Sequence, residues 1–298
     1  MALQIVVAGA SGFLGSHLVP ALRSHGHEVT TLVRRETRNG SESTWDPYGD
    51  RLDRDLIEAA DVVVNLAGSP TAGNPHSGRW ARELRESRVT TTRVLAAAIA
   101  ATGNPPAFLA GNGISFYGDH GAEIVTETSD SRGTALLTEV TREWQAATEP
   151  AAAAGSRVVV LRTAPVLERR SAPLKQLLLL FRAGLGTRLG SGRQHFPIIS
   201  LRDWVGAVSF LAEHADVSGP ANLCCPVTPT NAEFTEALAD SVGRSARLAA
   251  PAFAVRAAAG DLGPEVLGSV NARPRVLLDA GYGFQDRDVR DVIVAATR

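Results

Sequence analysis

At 298 residues the chain has room for one large domain, or for a nucleotide domain with a smaller lobe beside it. Its 30 basic side chains against 31 acidic ones leave a net charge of −1, which gives no electrostatic basis for holding nucleic acid or a membrane surface. Hydrophobic residues make up 44% of the chain, but no apolar run reaches the roughly 18 residues of a membrane span, and the N-terminus enters a strand without a basic leader, so a cytoplasmic protein is expected.

Leu3 to Ala8 is a short, β-branched apolar run, the pattern of a buried parallel strand. Gly9-Ala10-Ser11-Gly12-Phe13-Leu14-Gly15 follows at once, and Ser16 to His25 reads as a helix. A strand running into a glycine turn that opens a helix is the context a phosphate-binding turn requires. Gly9 supplies the tight turn, Gly12 lets backbone approach a pyrophosphate, and Gly15 lets the helix pack close to the sheet. Ser11, Phe13 and Leu14 complete the turn, whose free N–H groups face the anion. A second strand runs from His27 to Val33. At its end an NAD binder usually places an acidic residue for the ribose 2′-hydroxyl, whereas an arginine suits a 2′-phosphate. Here Arg34 and Arg35 come before any carboxylate, so the expected cofactor is NADP(H).

Further on, Arg38 to Arg51 reads as a connection and Leu52 to Ala60 as a short helix. Asp61 to Gly68 is a third strand with a glycine exit, which places Asn65, Leu66, Ala67 and Gly68 at the border of the cofactor. Arg79 to Thr102 is a long helix that carries Arg79, Trp80 and Arg88. A fourth strand, Pro106 to Gly111, leads into Asn112, Ser115 and Tyr117. After a polar loop over 121–133 come a helix from Ala135 to Ala154 and a fifth strand from Arg157 to Arg162. This alternation predicts an α/β, Rossmann-like, doubly wound parallel sheet over residues 1–163. Beyond Thr163 the alternation stops. An apolar helix (Pro173 to Ala183), a glycine-rich block over 184–195, a strand near Ala221 to Cys225, a helix from Asn231 to Val242 and a broken tail follow. Residues 164–298 are therefore expected to form a smaller C-terminal substrate lobe, with segments returning to the first domain and a small-molecule substrate in the cleft between them. The only cysteines, Cys224 and Cys225, are adjacent and lack zinc-ligand spacing, so no metal is expected.

These pieces, read together, resemble the atypical extended short-chain dehydrogenase/reductases of the NAD-dependent epimerase/dehydratase family, in the branch with SDR39U1 and YfcH-like members. The resemblance runs from end to end. It rests on the G-x-x-G-x-x-G turn, Asn65-Leu66-Ala67-Gly68, Arg79-Trp80, Ser87-Arg88-Val89, Phe116-Tyr117-Gly118-Asp119, Glu143-Trp144, the Gly184–Gln194 block and Gly281-Tyr282-Gly283-Phe284. The glycine-rich block is the part specific to this branch. The resemblance implies a Rossmann fold, NADP(H), and oxidoreductase or epimerase-like chemistry on a carbonyl or sugar-like substrate. Arg88 is carried over as a cofactor contact, and Arg79, Trp80, Arg193 and Gln194 as substrate contacts.

The chain departs from the family where the family holds its acid/base pair. Leu136 and Val140 stand where the Tyr and Lys of Tyr-x-x-x-Lys fall, and Asn112-Gly113 replaces the branch's Ser-Ala. The catalytic candidates that remain are Tyr117 as proton donor, Ser115 and Asn112 as hydrogen-bonding partners of a substrate carbonyl, and His195 as a donor or catalyst in the cleft. Two readings stand at this point. One is an NADP(H)-dependent enzyme, a monomer or homodimer. The other is a module that binds NADP(H) without turning over.

Overall fold

The computed structural model describes residues 1–49, 51–71 and 73–297. Its centre is a parallel sheet of seven strands: β1 (Gln4–Ala8), β2 (Glu28–Val33), β3 (Glu42–Thr44), β4 (Val62–Asn65), β5 (Ala107–Gly113), β6 (Val158–Thr163) and β7 (Gly219–Leu223). Their order across the sheet is β7-β6-β5-β4-β1-β2-β3. From β1 the chain winds outward one way through β2 and β3, then returns to β4 and winds outward the other way. The reversal opens a crevice at the carboxyl ends of β1 and β4, where open α/β sheets bind ligands.

Twelve helices surround this sheet among the described residues: α1 (Gly15–Ser24), α2 (Arg54–Glu58), α3 (Gly78–Ala100), α4 (Leu136–Ala146), α5 (Glu149–Ala153), α6 (Ala172–Arg182), α7 (Leu201–Glu213), α8 (Asn231–Ser241), α9 (Ala252–Ala259), α10 (Gly263–Leu267), α11 (Arg275–Asp279) and α12 (Val289–Thr297). Strand residues alternate between two cores, as pleated backbone dictates. Ile5, Val7, Val62 and Val64 pack with Leu18 and Leu22 of α1 and with Trp204, Val208 and Leu211 of α7. Val6, Ala8 and Val63 pack with Ile57 of α2, Leu95 and Ile99 of α3, and Ala151 of α5. The doubly wound α/β architecture expected from the alternation is therefore the architecture observed. A third core joins α6, α8 and α12 through Leu174, Leu178, Phe181, Phe234, Leu238 and Ile293.

Three elements differ from the sequence reading. Residues 38–51, expected as a connection, contain β3, which pairs with β2 from Thr31–Glu42 to Val33–Thr44. The expected helix over 135–154 is two helices, because Pro150 has no N–H to continue the ladder and sits in the first turn of α5. The stretch Leu201–Glu213, given no element from sequence, is a helix whose N-cap Ser200 accepts the Asp203 N–H. No described helix is long and apolar enough to cross a membrane.

Candidate functional site

The glycine turn is shaped by contacts that only glycine permits. Gly9 has φ +82°, and a Cβ there would lie 2.5 Å from the Leu66 carbonyl carbon at the exit of β4. A Cβ at Gly15 would collide with the Gly9 carbonyl, so α1 lies directly against the turn. Gly12 differs: its N–H closes the turn on Gly9 O at 3.0 Å, its Cα is exposed, and a Cβ would meet only Gly9 O, at 3.2 Å. The Phe13 and Leu14 N–H groups have no backbone acceptor among the described residues, and Leu14 gives α1 no side-chain cap. Two donors thus stand open at the positive end of a helix of ten residues, a donor set that fits a diphosphate.

This turn forms one wall of a groove of about 730 Å³. Gly9, Ser11, Gly12, Arg34, Arg35, Leu66, Ala67 and Gly68 line it, as do Trp45, Pro47, Tyr48, Ser69, Pro70, Glu83, Glu86, Ser87 and Thr91. The sequence reading missed the Trp45–Tyr48 segment. Its only local signal was a pair of aromatics in a polar stretch, and β3 is what carries it back to the groove. At the far end of β2 the two arginines differ. Arg35 is gripped by Glu42 at two points, Nη1 to Oε2 at 2.8 Å and Nη2 to Oε1 at 2.7 Å. The hydrogen bond from Arg35, helped by one from the Arg38 N–H, holds the Glu42 carboxyl down at about 2. Arg34 is exposed and makes no hydrogen bond or ion pair with a described residue.

Behind the opposite wall, Asn65 orders the end of β4. Its Nδ2 donates to Thr92 Oγ1 at 2.9 Å and its Oδ1 accepts the Ala67 N–H at 3.0 Å. The Trp144 indole N–H donates to the same Thr92 hydroxyl at 2.7 Å. Arg88 lies over the Trp144 ring, 5.2 Å from its centroid, and donates to Leu84 O and Thr71 Oγ1. No carboxylate pairs with it among the described residues, and burial lowers its guanidinium to about 10. A Cβ on Gly68 would touch the Arg88 side chain at 3.3 Å, so the cation sits just behind the groove wall.

The other sequence candidates lie off this groove. Phe13 is exposed and stacks edge-on to His17, and Leu14 is partly buried against the first core. Tyr117 is corrected from a cleft residue to a buried one. Its hydroxyl donates to Asn222 Oδ1 at 2.7 Å and accepts from Arg162 Nη1 at 2.8 Å, and desolvation pushes it up to about 12. Asn112 is buried as well; its Nδ2 donates to Thr141 O, which ties β5 to α4. Ser115 is half-buried, and its hydroxyl has no partner among the described residues. His195 is half-buried with Nδ1 3.4 Å from Ser269 Oγ, and Gln194 donates to Leu189 O. Arg193 is exposed, Arg79 pairs with Glu83 at 2.7 Å on the surface of α3, and Trp80 packs against Gly73.

At the other end of the sheet, Glu213 of α7 accepts from His25 Nδ1 at 2.8 Å and His27 Nε2 at 3.0 Å. The ring nitrogen Nδ1 of His27 accepts the Leu3 N–H at 3.2 Å, so Nε2 carries the proton that Glu213 accepts and the three side chains clasp α7 to the start of the sheet. Burial would raise the Glu213 carboxyl, but the two imidazole hydrogen bonds outweigh it and hold it below its ordinary value.

The model of the NAD dependent epimerase/dehydratase family matches residues 5–224, from β1 through β7, and a domain of unknown function (DUF1731) matches 250–296. The chain belongs to the NAD dependent epimerase/dehydratase family. Among relatives of this epimerase/dehydratase-family chain, epimerase family protein ML0860 of Mycobacterium leprae is 39% identical over 98% of this chain and 95% of its own. Mouse epimerase family protein SDR39U1 is 34% identical, with 97% of each chain covered. The crystal structure of human SDR39U1 with NADPH superposes with a TM-score of 0.84 at 29% identity, covering 98% of both chains.

Proposed function

We propose that the protein is an NADP(H)-dependent oxidoreductase or epimerase-like short-chain dehydrogenase/reductase that acts on a small carbonyl or sugar-like substrate without the usual Tyr-x-x-x-Lys pair. The observation that carries this reading is the groove together with the turn that walls it: Gly9, Ser11 and Gly12 line it and lead into the open Phe13 and Leu14 amides, and Arg34, a guanidinium with no partner among the described residues, lines it at the end of β2. The family's name and the NADPH in the human SDR39U1 structure support it.

In this reading the Phe13 and Leu14 amides hold the diphosphate and Arg34 selects the phosphorylated ribose. When bound, the nicotinamide supplies or takes the hydride. The chain's own part is to orient the substrate and exclude water. Ser115, in the turn Ile114–Tyr117 that follows β5 and with no hydroxyl partner among the described residues, orients the substrate oxygen. Tyr117 positions rather than reacts, because its proton is directed at Asn222. Loss of a matched acid/base group costs about 10²–10⁴-fold in rate and leaves hydride chemistry possible. The same buried Tyr117 favours the second reading, a module that binds NADP(H) without turnover.

Two measurements test the proposal. Titration by protein fluorescence should give at least about tenfold tighter binding of NADPH than NADH, a difference of ~1.4 kcal/mol. A panel of aldehydes, ketones and nucleotide sugars, followed through NADPH absorbance, should include a substrate whose turnover falls in Ser115→Ala. Equal affinities would reject NADP(H) selectivity. Tight NADPH binding with no turnover across the panel would leave the binding module in place of the enzyme.

A further inference from the structure

Resting on the NADP(H) reading, the geometry points to a division of labour at the end of β2: Arg34 alone reads the 2′-phosphate, and Glu42 is the specificity-setting residue that keeps Arg35 from doing so. Neighbouring arginines look equivalent in sequence, but the fold makes them opposite in role. Glu42 is the first residue of β3, and β3 pairs with β2, so the carboxylate is delivered beside the β2 exit. There it accepts two guanidinium hydrogen bonds from Arg35 and the Arg38 N–H at 2.7 Å. A further Arg35 bond, Nη1 to the Glu36 carbonyl at 2.8 Å, fixes the side chain toward its own loop. The fork of Arg35 that a phosphate would need is therefore already filled.

The charges lead to the same result. Arg35 and Glu42 cancel, so of the two arginines that line the groove only Arg34 presents a guanidinium with no partner among the described residues. The arrangement also removes the only carboxylate on β3 from competition for a ribose 2′-hydroxyl, the contact by which an NAD binder would be recognised. Glu42 thus acts against NADH by being neutralised and for NADPH by bracing the loop that carries Arg34.

The test compares a charge-changing and a charge-neutral deletion by titrating NADPH and NADH against the full chain. Arg34→Gln should weaken NADPH at least about tenfold and leave NADH within about twofold, because hydrogen bonds to a charged group are the strong ones. The pair Arg35→Gln with Glu42→Gln should keep NADPH within about threefold of the unaltered protein. Restoring the fork supplies a gain-of-function arm. Adding Glu42→Gln to Arg34→Gln frees Arg35 and should recover NADPH affinity at least about threefold. All three residues are at the surface or partly exposed, and unchanged thermal unfolding verifies that each variant folds. If the Arg35/Glu42 pair costs as much NADPH affinity as Arg34→Gln, or the double variant recovers nothing, the division of labour is overturned while NADP(H) selectivity stands. If the unaltered protein binds NADH as tightly as NADPH, the NADP(H) reading itself fails, and this inference with it.

Discussion

Replacing Gly12 by valine separates binding from folding more sharply than any other single change in this protein. A Cβ at Gly12 meets only Gly9 O, at 3.2 Å, and the residue is otherwise exposed to the groove. The stability loss should therefore stay within about 1 kcal/mol, as for a surface substitution without buried contacts. The branched side chain instead enters the groove at the residue that leads into the open Phe13 and Leu14 amides, where a bound diphosphate must approach backbone. Each charge-assisted hydrogen bond lost there is worth about 1.5–3 kcal/mol, so two give about 3–6 kcal/mol, a hundredfold or more in Kd. Gly9→Ala is the contrasting control. It forces φ +82° on an alanine and drives a methyl against the β4 exit. The left-handed conformation costs about 1–2 kcal/mol and the overlap a further 1–3 kcal/mol. Thermal unfolding by circular dichroism and NADPH titration by fluorescence read the two axes. Gly12→Val should melt like the unaltered protein and bind at least about a hundredfold more weakly, while Gly9→Ala should melt earlier. Normal NADPH affinity in a folded Gly12→Val protein would refute the placement of the anion at this turn.

Three further outcomes follow from the same geometry. Tyr117→Phe removes the hydroxyl that joins Asn222 to Arg162, which leaves the buried Asn222 Oδ1 without its partner while Arg162 keeps Glu127 O and Gln145; it should destabilise by about 1–3 kcal/mol in denaturant titration and spare NADPH affinity. Arg88→Met should weaken NADPH with little loss of stability, because it removes a half-buried cation that no carboxylate offsets among the described residues; a large fall in the unfolding midpoint with normal binding would count against an anion-directed role. The Glu213 carboxyl is held below its ordinary value in the folded chain, so its contribution is present above its unfolded pKa of about 4.5 and is lost as pH falls through the folded value. The difference in melting temperature between the unaltered protein and Glu213→Gln should thus be open at neutral pH and narrow below pH ~4.5, and a gap independent of pH would refute the clasp.

The sequence by itself determined the parts of this protein that are governed by short-range constraints. Apolar strands followed at once by Gly9, Gly12 and Gly15 leave few alternatives, because only glycine takes the φ of Gly9 and the close approaches at Gly9 and Gly15, and the alternation of short β-branched runs with amphipathic helices dictates a parallel sheet. Tertiary structure decided whatever depends on partners distant in the chain. Tyr117 reads as a proton donor at the cofactor edge until Asn222, 105 residues later, arrives on β7 and takes its hydroxyl in a buried position. Leu201–Glu213 received no element from sequence, and its place as α7 is set by packing against the sheet and by Tyr282, whose hydroxyl donates to the Asp203 carbonyl from 79 residues further on. Trp45 to Tyr48 reach the groove because β3 pairs with β2, and the same pairing brings Glu42 onto Arg35. Two adjacent arginines are equivalent as letters. A carboxylate delivered by a neighbouring strand makes one of them a strut and leaves the other free to bind.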